Sequence, residues 1–400
     1  MLLELTIALI LAWILGTITG LTPGLHLNTV ALLTVALSPF LLQFTSLQIL
    51  IVFIMSMSII HTFVDAIPSI YLGVPDESQV LSVLPGHKML LNGEGHNALK
   101  LTIIGSFFSL LLSIILIPFL IPLVKIIYPI IKNYIGWLLV VVMSFMILKD
   151  KMRYWNFILF MLSGILGLIV LNMPNINNVL FPLLSGLFGF SILLISLKNK
   201  ASIPKQDLTK KLNVKKSTIL KSTIGATIAG FIASFLPGLG SSQAAILAQQ
   251  FMRKIKDDGF LILIGGINTV NMALSLVTLY AIDKARNGAV VAISQIAKEF
   301  NLQFLLVSIA GIIITGGVAV FLSLKISKIF SKIISKINYQ KLIIFIMSFV
   351  AILVFYFGGF LGLFILLVST SIGLVASLKG VGKNHLMGCL IFPVILFFLL

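Results

Sequence analysis

Two stretches of the chain combine a Pro-Gly pair with small polar residues in apolar surroundings. Proline removes a backbone donor and glycine removes the Cβ atom, so each pair predicts a break in a helix. A helix that begins after such a break directs its free N–H groups and positive dipole end towards carboxylate or phosphate groups. The alternative for a single pair is a kink that only helps helices to pack. The sequence therefore predicts an anion site lined by Thr22, Pro23, Gly24 and Asn28 in the first stretch and by Pro237, Gly238, Ser241, Ser242 and Gln243 in the second.

Four ionisable residues are candidates for binding a cation. His61 and Asp65 lie four residues apart in an apolar run, hence on one face of a helix, and Pro68 follows closely. Ionisable residues at membrane depth are rare, so we predict that Asp65, with His61, binds or relays Na⁺ or a proton. The alternative is a buried His–Asp pair near a helix end. Asp76 and Asp283 are the other two candidates, with a loop position at the mouth of a hairpin as their alternative.

The composition indicates which class of protein positions these residues. Hydrophobic residues make up 59% of the 400 residues and charged residues only 10%, with a mean hydropathy of +1.17. This balance excludes a soluble fold and predicts a polytopic membrane protein. The first apolar run, which begins at Leu2, has no basic residue in front of it and no small-residue cleavage site after it. It is therefore not predicted to be a signal peptide.

Other kinds of chemistry find no support in the sequence. The single cysteine, Cys389, excludes an intramolecular disulfide, and the five histidines have no metal-ligand spacing. No Gly-rich loop ending in Lys-Ser or Lys-Thr offers a nucleotide site. The net charge of +17 fits basic cytoplasmic loops of a membrane protein better than nucleic-acid binding. We therefore predict a protein that is not an enzyme, lies in membrane lipid, and has no metal or cofactor beyond a coupling ion.

The apolar runs fall into two sets of similar length and order. Pro23 corresponds to Pro237, and the segment that begins at His61 resembles the segment that begins at Asn268. The interval along the chain is slightly shorter for the second match than for the first. One short insertion reconciles the two intervals, so the sequence predicts an internal repeat. The predicted division is an N-terminal membrane repeat (1–197), a basic linker (198–221) and a C-terminal membrane repeat (222–400).

The charges predict how the repeats lie in the membrane. If each half has five full crossings and two re-entrant hairpins, the odd number of crossings inverts the second half. With the linker in the cytoplasm, most of the 28 Lys and Arg residues lie on the cytoplasmic side, as the positive-inside rule requires. The predicted fold class is an all-α polytopic membrane protein with two inverted-topology repeats and broken or re-entrant helices. It lies in the cell membrane with both termini outside.

The segment 72–99 resembles a signature of the large membrane subunit of tripartite tricarboxylate transporters. The similar residues there are Gly86, Met89, Gly93, Ala98 and Leu99, and both Pro-Gly stretches and Asn268-Thr-Val-Asn271-Met-Ala273 have counterparts in that family. The resemblance implies secondary uptake of small carboxylates, driven by an ion gradient, with a small membrane subunit and an extracytoplasmic binding protein as partners. It adds Asn268 and Asn271 to the substrate site. Asp76 stands where the family has glycine, and Met272 where it has a second asparagine.

These observations together predict a secondary active transporter of small organic anions (carboxylates). It is coupled to an ion gradient and works by alternating access around a site between the Pro-Gly hairpins. A translocator of lipid-linked phosphate or another anion is an alternative, because helix N-termini suit phosphate equally well. An integral-membrane enzyme is an alternative of another class, although only His61, Asp65 and the hairpin acids offer the acid/base cluster that it needs. A non-transporting assembly subunit would leave the broken helices unexplained.

Overall fold

The structure, a computed structural model, describes residues 2–22, 27–74, 79, 81, 83–149, 152–173, 179–198, 203–236, 239–252, 255–297, 299–334 and 339–400. These residues contain helices and no β-strand. The helices are α1 (Leu2–Leu21), α2 (Leu27–Leu41), α3 (Leu47–Val64) with a π-helix (Pro68–Leu72), α4 (Val83–Leu91), α5 (Gly95–Ile131), α6 (Ile135–Lys149), α7 (Arg153–Leu171), α8 (Leu180–Leu184), a second π-helix (Ser185–Phe190), α9 (Ser191–Lys198), α10 (Lys216–Phe235), α11 (Ser241–Phe251), α12 (Asp257–Ile282), α13 (Gly288–Ile296), α14 (Leu302–Ile334), α15 (Tyr339–Lys379) and α16 (Gly388–Leu399).

Nine helical segments within the described ranges are long and apolar enough to cross a membrane. Large apolar side chains cover their outer faces: Phe119 is 70% exposed, Phe321 78% and Phe364 62%. A soluble protein does not expose apolar surface on this scale, whereas lipid tails solvate it well. The prediction of an all-α polytopic membrane protein is confirmed.

The helices repeat along the chain with the same intervals as the motifs. Helices α1 and α10 are both 20 residues long, and the interval between them equals that between Pro23 and Pro237. Helix α14 follows α5 by the interval that separates Asn268 from His61. Gly359 has a φ of 59° and divides α15 into two helices, which follow the order of α6 and α7. The described helices therefore form two sets with the same order.

Counterpart helices of the two sets are antiparallel. Near the start of α5, His96 Nδ1 lies 2.8 Å from Ser327 Oγ near the end of α14. Midway along, Leu110 of α5 packs against Gly316 of α14. As the contacting residue moves towards the end of α5, its partner moves towards the start of α14. The two helices therefore run in opposite directions. Because these two helices are each other's counterparts, the repeats are inverted, as the sequence predicts.

Each set begins with a helical hairpin. Gly16 of α1 packs on Met57 of α3 and Gly20 packs on Val64, so α1 and α3 run in the same direction and α2 returns between them. Gly230 of α10 packs on Val270 of α12 in the same way, and α11 returns. Helix α2 has 15 residues and α11 has 11, about 22 Å and 17 Å, and both are too short for a bilayer core of about 30 Å. We call the side where α9 ends and α10 begins the linker side, and the other side the far side. Hairpin α1–α2 enters from the far side, and α10–α11 enters from the linker side.

Part of the predicted linker packs onto the first repeat. Helix α9 ends at Lys198, and α10 already begins at Lys216, before the predicted end of the linker. Between them, the buried side-chain amide of Gln206 donates to the carbonyl of Leu90 and accepts the backbone N–H of Gly95. These bonds fix the linker to the corner between α4 and α5. The division of the chain into the predicted ranges stays a prediction.

Candidate functional site

Helix α3 is interrupted at Asp65, in the interior of the protein. Asp65 closes the helix with a backbone N–H bond to His61, and Pro68 then begins the π-helix. Because proline has no N–H group, the regular helical ladder cannot continue through it. Gly73, in the left-handed conformation with a φ of 67°, ends the segment. Backbone carbonyls thus lose their regular partners beside a carboxylate that is only 2% exposed.

The carboxylate of Asp65 binds a residue of the other repeat. Asn268 Nδ2 donates to Asp65 Oδ2 over 2.8 Å, and Asn268 is also buried. The spacing of His61 and Asp65 places both on one helix, as the sequence predicts. The structure gives each of them a partner on a different helix: Asn268 on α12 for Asp65, and Thr19 on α1 for His61. The interaction between repeats is therefore direct at this point.

Two threonines that correspond to each other in the repeats meet beside this pair. Thr62 Oγ1 and Thr269 Oγ1 are 3.1 Å apart, and each directly follows a residue of the matched pair His61 and Asn268. In a two-fold arrangement, only residues close to the axis contact their own counterparts. The pseudo-two-fold axis therefore passes between Thr62 and Thr269. The contact of Leu110 with Gly316, whose positions in the two repeats nearly correspond, marks a second point near it.

Hydrogen bonds connect this centre to both hairpins. On the α1 side, His61 Nδ1 lies 3.0 Å from Thr19 Oγ1. On the α11 side, Asn271 Nδ2 donates to Ser241 Oγ over 3.2 Å. A set of polar side chains thus extends from one hairpin across the axis to the other. We call this set the polar belt; it consists of Thr19, His61, Thr62, Asp65, Ser241, Asn268, Thr269 and Asn271.

The N-terminal end of α11, which begins at the belt residue Ser241, has the features of an anion-binding site. Gly240 precedes the helix without a side-chain cap, and the first N–H groups of a helix have no partners within it. Ser241, Ser242 and Gln243 form the first turn and are all buried. The side-chain carbonyl of Gln243 has no hydrogen-bond partner among the described residues. The N–H groups of a helix start, its positive dipole end and the buried amide of Gln243 suit an anionic ligand with hydroxyl groups.

Several residues of the predicted sites are not part of the polar belt. Pro23, Gly24, Pro237, Gly238 and Asp76 lie outside the described residues, and for Asn28 only its place at the start of α2 is described. Thr22 directly follows α1, where its backbone N–H bonds to Ile18, and its side chain is half-buried. The structure therefore brings together Ser241, Asn268 and Asn271 from the predicted substrate site and His61 and Asp65 from the predicted ion site.

Asp283 lies apart from the polar belt. It is exposed and ends α12 in the left-handed conformation, with a φ of 53°. Its position is several turns beyond Thr269 along one helix, about 21 Å at the rise of an α-helix. This geometry fits the alternative of a residue at a hairpin mouth and gives no support to the predicted coupling role.

Three residues of the polar belt were absent from the sequence prediction: Thr19, Thr62 and Thr269. A signal for two of them was present, because His61-Thr62 and Asn268-Thr269 hold the same threonine at matched positions of the repeat. Their hydroxyls and the Asp65 carboxylate are hard oxygen donors, which suit Na⁺ as they suit other hard cations, and unwound backbone in transporters supplies more. The chemistry of the belt therefore fits either Na⁺ or a proton carried on Asp65.

Comparisons with known proteins agree with this architecture. The profile of the Tripartite tricarboxylate transporter TctA family matches residues 6–388. An uncharacterized protein of Methanocaldococcus jannaschii is 32% identical over 400 residues, which cover 98% of each chain. No solved structure matches the chain. The family match includes both hairpins, the polar belt and almost the whole of both repeats, and it confirms the resemblance stated above. The chain belongs to the tripartite tricarboxylate transporter TctA family.

Proposed function

We propose that this protein is the large membrane subunit of a tripartite carrier and moves small organic carboxylates across the cell membrane. The observation that carries the proposal is the polar belt, which joins two oppositely inserted hairpins across a pseudo-two-fold axis. Transporters with inverted repeats bind substrate near the midplane, where broken helices of the two repeats meet. The substrate carboxylates would bind the helix start at Ser241–Gln243 and its counterpart after Pro23-Gly24, with Asn268 and Asn271 as further donors.

Coupling to an ion gradient would take place at Asp65. Its carboxylate is buried beside interrupted helical backbone and contacts Asn268, which lies one turn from the substrate donor Asn271. A cation on Asp65 changes the charge of the site and the position of Asn268, so ion and substrate affinities become linked. The coupling ion is Na⁺ or a proton, and His61 supports it from the same helix face.

Alternating access would follow from the inverted hairpins. Hairpin α1–α2, which enters from the far side, contacts the polar belt through Thr19, and α10–α11, which enters from the linker side, contacts it through Ser241. Each hairpin would close the belt on the side from which it enters. Movement of one hairpin relative to α3 and α12 opens one side while the other stays closed. The basic residues of the linker and of the end of α14 favour a cytoplasmic linker side, with both termini outside. A small membrane subunit and an extracytoplasmic binding protein would act with this chain, as in tripartite systems.

Counterflow in proteoliposomes tests the proposed function. Vesicles loaded with an unlabelled di- or tricarboxylate should accumulate the labelled compound, and a Na⁺ or pH gradient should increase the rate. Replacement of Ser241 by alanine should weaken exchange, because it removes a belt hydroxyl next to the helix start. Thr227→Ala is the matched control, since within the described part of the chain the Thr227 hydroxyl donates to the carbonyl of Thr223 in its own helix.

The outcomes of this experiment are distinct. Exchange of carboxylates that Ser241→Ala reduces and Thr227→Ala leaves unchanged would support the proposal. Exchange of inorganic phosphate without any carboxylate would overturn the substrate class and favour another anion. If no anion exchanged under either gradient even with the small membrane subunit and the binding protein present, the transport function itself would be refuted.

A further inference from the structure

A buried lysine lies on the linker side, away from the polar belt. After α15 ends at Lys379, Gly380 turns the chain with a φ of 70°, and the N–H of Val381 bonds back to Ala376. This turn directs Lys383 inward, where the residue is only 9% exposed. Its ammonium donates to Ser191 Oγ over 2.6 Å and to the carbonyl of Phe188 over 3.4 Å. Both acceptors lie at the end of the second π-helix.

Lys383 lines a cavity of about 290 Å³ between the two repeats. The other walls include Pro85 and Lys88 on α4, Gln249 near the end of α11, and Asp257 at the start of α12. The cavity therefore lies at the linker-side mouth of hairpin α10–α11, at the opposite end of α11 from Ser241. A ligand that leaves the polar belt towards the linker side would pass this mouth.

Among the described residues that line the cavity, Lys383 is the buried basic residue. Lys88 and Asp257 form an ion pair of 3.2 Å, and their side chains are 67% and 56% exposed, so water and each other's charge screen them. Gln249 on α11 is neutral, and the ammonium of Lys379 at the end of α15 lies over the Trp155 ring, away from the cavity lining. The described residues give Lys383 neutral oxygen partners and no carboxylate. Of its three ammonium donors, these two bonds use two.

We propose that this cavity is a second anion site, in which Lys383 binds the carboxylate of the transported compound on the cytoplasmic side of the α10–α11 hairpin. A buried ammonium loses hydration, and a ligand carboxylate restores a charged partner through a charge-assisted hydrogen bond. The volume suits a compound of a few carbon atoms. The inference rests on the proposed function, because it assigns a route to the same substrate. Burial also lowers the pKa of Lys383, which lies in the loop between α15 and α16, to about 7.

The test compares Lys383→Met with Lys383→Arg and with the control Lys379→Met, in proteoliposomes of known orientation. Lys383→Met should raise the half-saturating carboxylate concentration on the linker side by about tenfold or more, the value of a lost charge-assisted bond. The far-side value should not change. Lys383→Arg should recover much of the affinity, and Lys379→Met should behave as the unchanged protein does. An unchanged linker-side value in Lys383→Met, or an equal rise on both sides, would overturn the proposal.

A pH series gives a second measurement. Because only the protonated lysine binds an anion, linker-side affinity should fall by about tenfold between pH 6 and pH 8, as a group with a pKa near 7 loses its charge. Lys383→Met should remove this dependence, and a dependence that persists in that variant would contradict the assignment.

Equilibrium dialysis with labelled succinate separates this proposal from the proposed function. Two binding sites in the unchanged protein and one in Lys383→Met would support the cavity even in a preparation that exchanges no carboxylate. Equal stoichiometry in the two proteins would refute the second site while leaving transport through the polar belt intact.

Discussion

The carboxylate of Asp65 accepts a hydrogen bond from the side-chain amide of Asn268, a residue of the other repeat. This contact lies where the helix of Asp65 loses its regular hydrogen bonding. A buried carboxylate in this position can exchange an amide partner for a cation without a rearrangement of the helix backbone. Replacement by asparagine keeps the shape of the side chain and removes its charge. The substitution therefore tests ion coupling with little disturbance of packing.

Asp65→Asn should reduce gradient-driven uptake by about tenfold or more, because interactions with a charged group are worth about 1.5–3 kcal/mol. Carboxylate counterflow without a gradient should suffer less, since the hairpin donors remain. The measurement is uptake as a function of Na⁺ concentration and of pH. Asp207→Asn is the control, because Asp207 is exposed in the linker, where bonds from Thr209 hold the pKa of its carboxyl below the usual range. Full ion dependence in Asp65→Asn would exclude the coupling role.

At the scale of single helices, α3 with its π-helix and α12 both end in the left-handed conformation. Glycine fills that position at Gly73, whereas Asp283 fills it at the end of α12. A left-handed backbone strains residues with a Cβ atom, although Asp tolerates it better than most residues do. The two helix ends thus make the same turn with different residue types. Replacement of Asp283 by glycine therefore tests whether Asp283 has only a structural role or also a role in ion coupling.

Asp283→Gly should raise the free energy of unfolding by about 0.5–1 kcal/mol, because glycine adopts this conformation without strain. Gly73→Ala should have the opposite effect, since it adds strain and places a Cβ atom 3.2 Å from Leu193 Cδ2. Thermal or denaturant unfolding in detergent measures both variants, and uptake should stay unchanged in Asp283→Gly. A change in ion dependence in that variant would instead support the coupling role of Asp283.

The sequence predicted helices and their order better than it predicted which side chains meet. Hydropathy and the bias of Lys and Arg are properties of individual segments, so they indicated the inverted repeats without any knowledge of packing. The contact of Asp65 with Asn268 depends on how α3 crosses α12, which no local pattern specifies. From the sequence, Lys383 is only one of the 28 Lys and Arg residues, because its contacts with Ser191 and Phe188 join segments that are far apart along the chain.

At the scale of the whole molecule, the inverted repeats commit each part of the chain to one side of the membrane. Helices α5, α10 and α12 begin on the linker side, whereas α1, α3 and α14 begin on the far side. Lys325, Lys328 and Lys332 near the end of α14 thereby join the basic linker on one side. Orientation in the cell is a property of this arrangement and can be measured directly.

Single cysteines introduced at Leu2, Lys211 and Leu400 should report that orientation, because all three residues are exposed. A membrane-impermeant maleimide should label Leu2→Cys and Leu400→Cys in intact cells and Lys211→Cys only after permeabilisation. The native Cys389 is buried and is replaced by serine as a precaution. Labelling of Lys211→Cys in intact cells would reverse the proposed topology.

The contact between Thr62 and Thr269 has a consequence for the origin of the chain. A half-length ancestor could have formed this contact as a residue meeting itself across the two-fold axis of a homodimer. Since the axis relates antiparallel helices, such an ancestor would have to insert into the membrane in both orientations, with few charges to bias either one. Duplication and fusion of its gene would then fix one orientation for each copy and allow the copies to diverge. The position that Asp65 fills in the first repeat holds Met272 in the second.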